Sequence, residues 1–507
     1  MKDLLKNKKI IFITALCGLT YIIGIISPVT IKAAQKEDLP TGLDTISLYK
    51  NQPAIYSDRT LYLADNIISS LPFIKDSLCF IEDSSNSMSA FINELYSLLN
   101  GKDTVINIIH LGDSHIQAGF LSGRTMRLMQ NSFGNAGRGW IAPFKLSKLN
   151  EPNDYFISSN VKEWISGRCV QLKPKCPWGP GGIGIQTEAK NINFNLIITP
   201  NNGAGYSFNK ILLYRDIGAA PMSPLDTYKD SAFALSLGNQ AYEKIIVDTF
   251  ITTNLIDTFS IKNMDFDKNE NSIKSVNSNS NLYYGFMLAN GNPGLLYHSI
   301  GVNGAKYKDY TSREYIRQLA LLKPSLLIIS LGTNESFGRN FSKVEFEMQV
   351  NSFVSLVREE IPEVTLLITT PAESYKRVYR NKKRYYERNE NIAKVADVIS
   401  SYTKKEGIAC WDLYSVAGGN NSCKNWFDAK MLGRDRIHFS RDGYEEQGVL
   451  LYKALVRSYI STHNIPGTNI DFTGQPEEVS ADNTTAESGE SNAEPAVKSG
   501  EEAGNVE

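Results

Sequence analysis

The stretch Val105-Ile-Asn-Ile-Ile-His-Leu-Gly-Asp-Ser-His115 decides the fold. Val105 to Leu111 is a mostly aliphatic, β-branched run that reads as a strand, and Gly112-Asp113 breaks it into a turn. Three later segments share this form, an apolar run that delivers a short polar loop. Leu295–Ile300 leads into Val302-Asn-Gly-Ala305, and Leu326-Leu-Ile-Ile-Ser-Leu331 leads into Gly332-Thr-Asn-Glu335. Ile408–Leu413 runs towards Asp435-Arg-Ile-His438. Helical patterns lie around them at Phe91–Leu99, Gly123–Met129, Ser312–Leu322, Glu345–Glu359, Lys382–Lys405 and Asp442–Thr462, with a further strand at Val364–Thr370. Strand and helix in alternation predict an α/β fold whose parallel sheet is covered on both faces, with its functional loops at the strand ends.

Those loops carry complementary groups. Ser114 offers a hydroxyl, which is a poor nucleophile until a base takes its proton, and histidine is the side chain tuned to do so near neutral pH. The chain holds five histidines. His110 and His298 sit in strand-like apolar runs, His463 lies near the end of the last helix, and His115 reads as a packing or hydrogen-bonding neighbour of Ser114. His438 is therefore the candidate base. Asp435, three residues before it, is placed to fix the imidazole tautomer and stabilise the imidazolium. Ester cleavage also creates an oxyanion, and losing one of its donors costs about 2.7–4 kcal/mol. The candidate donors are the backbone N–H groups of Ser114 and Gly304 and the side-chain amide of Asn334. Glycine suits the second position because backbone can approach a substrate closely there. Asp113 reads as a cap or loop residue. Each motif alone is also an ordinary turn or surface pair; the meaning lies in all four occurring in order.

Ser, Gly, Asn and Asp-x-x-His in this order resemble the four blocks of the SGNH (GDSL-type) hydrolase superfamily, over about residues 100–460. The first block reads Gly-Asp-Ser-His instead of Gly-Asp-Ser-Leu, and the third reads Gly-Thr-Asn-Glu instead of Gly-x-Asn-Asp. The Gly-Asp-Ser-His variant, the Phe133-Gly-Asn-Ala-Gly-Arg-Gly139 loop and Gly301-Val-Asn-Gly304 are most similar to bacterial peptidoglycan O-acetylesterases and related envelope proteins. That resemblance implies a three-layer, flavodoxin-like parallel sheet with an inserted β-rich, carbohydrate-binding-like domain. It implies a serine esterase acting on an acetylated polysaccharide, peptidoglycan before plant or capsular polymers. A glycan-binding envelope protein without turnover and an O-acyltransferase using the same serine are the alternatives.

The insertion is visible in the spacing, because about 190 residues separate Ser114 from Gly304. Alternating segments such as Ile192-Asn-Phe-Asn-Leu-Ile-Ile198, Lys244-Ile-Ile-Val247 and Asn281-Leu-Tyr-Tyr-Gly-Phe286 predict short antiparallel strands of a sandwich or jelly roll. The expected division is 35–150 and 291–465 for the hydrolase domain and 151–290 for the inserted one. Trp164 and Trp178 are expected to fill the sandwich core, with a sugar-stacking platform as the functional alternative. The Cys169–Cys176 loop, with Pro174, Pro177 and Pro180, is the candidate rim over the site.

At 507 residues the chain exceeds what one core usually serves. From Glu477 onward nine acidic residues face the single Lys498, a net of −8 that leaves +7 on the rest of a chain whose formal total is −1. A mildly basic body suits anionic glycans. Nothing reads as a nucleic-acid stripe, a phosphate-cradling loop or a metal-ligand cluster, so neither nucleic acid, cofactor nor metal is expected. Lys2, Lys6, Lys8 and Lys9 precede an apolar run from Ile10 to Ile31 and then Ala33-Ala34, so residues 1–34 read as an export signal. The run is also long enough to span a bilayer, which makes an uncleaved membrane anchor the alternative. Both place the chain in the periplasm or cell envelope. In that compartment Cys169/Cys176 and Cys410/Cys423 are candidate disulfides, with buried thiols as the plainer reading. Residues 466–507 are too acidic and too poor in apolar residues to fold, and read as a disordered tail.

Overall fold

A computed structural model of the chain describes residues 69–199, 205–225, 233–264 and 280–463. Residues 1–34, read as an export signal, and the acidic tail, read as disordered, lie outside them. The described residues belong to one compact unit.

Five parallel strands form the central sheet: β1 Val105–Gly112, β2 Gly294–Gly301, β3 Leu326–Ser330, β4 Thr365–Thr369 and β5 Ala409–Trp411. Their spatial order is β2-β1-β3-β4-β5. Every residue of β4 and all of β3 but Ser330 are buried, as expected of strands covered on both faces. Helices Ser89–Leu99, Phe120–Phe133 and Arg441–His463 pack with one another. Helices Arg313–Ala320, Lys343–Glu360 and Glu390–Glu406 form a second packed set. The strand order reverses between β1 and β3, and the crevice outside such a switch point is where an open α/β sheet binds its ligand. Ser114 directly follows β1 and Asn334 follows β3.

Between β1 and β2 stand two antiparallel sheets. One runs in the order Ile165–Arg168, Ile183–Thr187, Asn281–Ala289, Phe208–Asp216, Ile245–Ile256, Phe233–Tyr242. The other runs Tyr155–Ser159, Asn193–Ile198, Thr258–Asn263, Met222–Pro224. They face each other through aromatic contacts, Phe194 against Tyr283 and Phe286 at 5.1 and 5.7 Å and Phe250 against Phe259 at 5.4 Å. Gly139–Ile141, ahead of residue 151, already pairs with Asn281–Ala289. A buried, bidentate ion pair between Arg138 and Asp154 ties the Phe133–Gly139 loop to this region.

Three expectations change. Lys382–Lys405 is not one helix: Tyr375–Arg380 and Lys383–Arg388 form an antiparallel hairpin, and the helix starts at Glu390, capped by Asn389. The run of charges suits a helix, but Tyr375, Val378, Tyr379, Tyr385 and Tyr386 are aromatic or β-branched residues that favour strands, and Asn381 and Lys382 at φ +50° and +60° make the tight turn that a two-residue hairpin loop requires. The close cysteine pairs are not bridged. Cys176 Sγ lies 3.6 Å from the Gly184 carbonyl and Cys423 Sγ lies 3.7 Å from that of Arg436, so each sulfur faces its own surroundings. Burial pushes Cys176 up to about 11 and Cys169, Cys410 and Cys423 up to about 12, which leaves them unreactive thiols. Finally, Trp164 is a core residue stacked on Phe194, whereas Trp178 packs edge-on, at 5.0 Å, against Tyr315 of the helix Arg313–Ala320.

Candidate active site

Ser114 opens a short helix, Ser114–Gln117, capped by Asp113, whose Oδ1 accepts the His115 N–H at 3.0 Å. The first-turn N–H groups of a helix have no partner within it and point outward, so the backbone here is a ready donor site. Ser114 Oγ stands 2.9 Å from His438 Nε2. On the far side of the ring, His438 Nδ1 donates to Asp435 Oδ2 at 2.7 Å.

The segment carrying Asp435 and His438 is a closed turn. The Gly433 N–H donates to the His438 carbonyl at 2.7 Å, and Asp435 Oδ1 accepts the N–H groups of Ile437 and His438 at 3.0 Å. Arg436 sits in this turn at φ +61°, a left-handed conformation that non-glycine residues seldom adopt. Its carbonyl accepts the Tyr375 N–H at 3.0 Å, and its guanidinium lies over the Phe427 ring. Burial pushes the Asp435 carboxyl up, but hydrogen bonds from His438 and from the Ile437 and His438 N–H groups outweigh it and hold the group well below the usual carboxylate range. The Asp435 hydrogen bond in turn raises His438 above its ordinary value, with burial opposing. The side chains of His438 and Asp435 are 45% and 50% exposed, so the site is open.

Gly304, at φ +84°, lies in the exposed turn after β2. That turn is seated on the Ser114 helix. A Cβ at Gly301 would fall 2.2 Å from the Gln117 nitrogen, so only glycine permits the approach. The Gln117 side chain accepts the Asn303 N–H at 2.8 Å and donates to the Asn150 carbonyl at 3.3 Å. Asn334 Nδ2 donates to Asp113 Oδ2 at 2.9 Å and to the Ala305 carbonyl at 3.0 Å. The structure thus gathers Ser114, His438 and Asp435 in one hydrogen-bonded chain. Asn334 joins that group through Asp113, and Gly304 through the Gln117 contact to Asn303. Buried Glu335 accepts the Tyr307 N–H at 2.8 Å, and burial pushes its carboxyl up to about 7.

The other histidines have structural partners. His110 is bonded to the Tyr297 hydroxyl at 2.7 Å and Ser330 Oγ at 2.8 Å, and His298 to the Trp140 N–H and Asn107, both at 3.1 Å. Burial lowers both to about 3, so they stay neutral. His115 is bonded to the Tyr444 hydroxyl at 2.9 Å, with its ring 5.4 Å from that of His438. A cavity of about 30 Å³ lies behind it, lined by His115, Thr370, Trp411, Phe439 and Gln447 among others; Ser114 and His438 are not part of that lining. Gln117 and Tyr444 were not legible as site residues. Gln117 does fall three residues after Ser114, on the same side of a helix, but nothing in the sequence marks Tyr444.

Residues 273–446 match the model of the GDSL-like lipase/acylhydrolase family. A solved peptidoglycan O-acetylesterase superimposes with a TM-score of 0.61 at 19% identity, covering 75% of this chain and 99% of its own. The chain has the SGNH hydrolase fold. Its strand order, its inserted antiparallel sheets and its resemblance to peptidoglycan O-acetylesterases agree with the expectation drawn from the four blocks. A GDSL-like lipase from Bacteroides thetaiotaomicron (17% identity, 33% of this chain and 76% of its own, TM-score 0.24) and a carbohydrate esterase family 3 protein from Talaromyces cellulolyticus (16%, 33% and 73%, TM-score 0.25) each overlap a third of this chain. No curated protein matches it in sequence.

Proposed function

We propose that the protein is a serine esterase that removes O-acetyl groups from a polysaccharide of the cell envelope, peptidoglycan first among them. The observation that carries this reading is the chain Ser114 Oγ–His438 Nε2–Asp435 at 2.9 and 2.7 Å, mounted where the strand order reverses. Ser114 attacks the ester carbonyl while His438 Nε2 takes its proton, and Asp435 holds the imidazolium. The Ser114 and Gly304 N–H groups receive the oxyanion. Asn334 joins them by exchanging its Ala305 contact for the oxyanion. Collapse of the tetrahedral intermediate expels the sugar hydroxyl, which takes the proton from His438. Water activated by His438 then attacks the acyl-serine and frees acetate. An open site suits a polymer better than a lipid tail, which needs an enclosed apolar channel. The likeness to a peptidoglycan O-acetylesterase and the N-terminal export pattern support the envelope as the place of action.

The test is acetate release from acetylated peptidoglycan and acetylated xylan, beside hydrolysis of p-nitrophenyl acetate. Wild type should turn over the small ester and prefer peptidoglycan, with Ser114→Ala and His438→Ala slower by about 10⁴-fold or more. Activity confined to xylan would overturn the substrate, and small-ester turnover unaffected by either substitution would overturn the mechanism.

A further inference from the structure

The Tyr375–Arg388 hairpin stands outside both large sheets. Two strands alone are marginal in water, so this pair depends on what holds its base. The holding is extensive. The Tyr375 N–H donates to the carbonyl of Arg436, between Asp435 and His438. Buried Glu373 accepts Arg388 Nε at 2.9 Å and the N–H groups of Asn421 and Cys423 at 3.0 and 2.9 Å. Asn389 donates to Ser336 Oγ at 2.7 Å, in the helix that carries Asn334. The hairpin is therefore anchored to two of the segments that build the site.

Its register pairs Tyr375 with Arg388, Arg377 with Tyr386 and Tyr379 with Arg384. Directly opposed residues share a face, and alternate residues along a strand share it too. One face is thus a checkerboard of three tyrosines and three arginines without an acidic residue. Tyr386 at its inner end lies under the Arg436 guanidinium, 5.7 Å from ring centre to Cζ. Glu373 answers Arg388 and Glu387 answers Arg380, but Arg377, Lys382, Lys383 and Arg384 have no acidic partner among the described residues. Tyr379 is 63% exposed.

We propose that this face docks an acidic polysaccharide and feeds it to Ser114. The inference rests on the esterase reading for its destination and on the hairpin alone for its chemistry. Guanidinium groups take carboxylates in a two-point grip, and tyrosine rings offer apolar faces to sugar rings. A membrane-binding hairpin would carry exposed aliphatic residues or tryptophan at its tip, and this tip is Arg380-Asn-Lys-Lys383.

The experiment measures binding of full-length Ser114→Ala protein to de-O-acetylated peptidoglycan, polygalacturonate and neutral xylan. The same chain is compared with Arg377→Gln/Arg384→Gln, both on the proposed face, or with Tyr379→Ala added. The double variant should bind the two acidic polymers at least about tenfold more weakly, and binding by the Ser114→Ala parent should fall as salt rises. Xylan binding should not respond to the double variant. In the Ser114 background both hairpin variants should keep p-nitrophenyl acetate hydrolysis within about twofold, which shows that they fold. Equal binding of acidic polymer by the parent and the double variant would overturn the proposal. So would tighter binding to anionic phospholipid vesicles or single-stranded DNA than to either acidic glycan. Hairpin-dependent binding without acetate release from any polymer would sink the esterase reading alone. Normal acetate release from peptidoglycan with no hairpin dependence would sink the docking surface alone.

Discussion

At the scale of single residues, the site is governed by which groups His438 faces. Only its neutral form can accept the Ser114 proton, and the Asp435 hydrogen bond raises its affinity for protons. Activity should therefore be lost as pH falls, with the midpoint of kcat/KM above the ordinary imidazole value of about 6.5. Asp435→Asn removes the group that raises it, so the acid limb should move down while kcat drops by about 10⁴-fold. A pH–rate profile of both proteins with p-nitrophenyl acetate checks the sign; an acid limb below 6 in the wild type would contradict it. Asp113 is a second lever, because its carboxylate receives both the His115 N–H and the Asn334 amide. Asn334→Ala should lower kcat by about 10²–10³-fold with little change in KM, the behaviour of a donor used in the transition state.

At the scale of elements, the Gly304 turn, proposed to supply an oxyanion donor, is positioned by close packing and one side chain. Gln117 bridges the Ser114 helix, the turn at Asn303 and the loop at Asn150. Gln117→Leu keeps the volume and removes the bridge. It should reduce kcat by about 10–10²-fold through misplacement of the Gly304 N–H, while KM for a small ester holds. Gly301→Ala pushes a methyl group into the helix backbone, where nothing flexible can yield. It should destabilise the protein by about 1–3 kcal/mol or more, visible as a lower Tm, and abolish turnover of the fraction that folds. Arg436 works at the same scale. Its left-handed backbone, of a kind that costs about 1–3 kcal/mol, is held by Phe427 and by the hairpin strand at Tyr375.

At the scale of the whole molecule, the inserted sheets are joined to the hydrolase at several points. Trp178 lies on Tyr315, the Tyr315 hydroxyl donates to the Pro180 carbonyl at 3.2 Å, and Arg138 grips Asp154. The Arg138–Asp154 pair is buried on both sides, so removing one partner strands a charge in an apolar setting. Asp154→Ala should cost about 3–5 kcal/mol. It should lower the Tm of the whole described unit in a single transition, measurable by calorimetry. A second, unchanged transition would show that the antiparallel part unfolds by itself.

The four polar loops and the apolar runs ahead of them were legible as sequence. A strand buried on both faces needs continuous apolar residues, and a serine, a histidine and an aspartate in chemical partnership leave a local mark. The interval of about 190 residues with its alternating segments likewise announced a β insertion. What the sequence could not reveal depends on residues far apart in the chain. Gln117 meets Asn303, Tyr444 meets His115, and Glu373 collects three donors from two other segments only because the fold brings them together. The hairpin was hidden for the same reason. Its charges satisfy a helical pattern as well as a strand pattern, and the balance is tipped by the Arg436 and Glu373 contacts that lie outside it. Local periodicity is a property of neighbours along the chain. The docking of a loop or a hairpin is decided by partners that only the tertiary structure supplies.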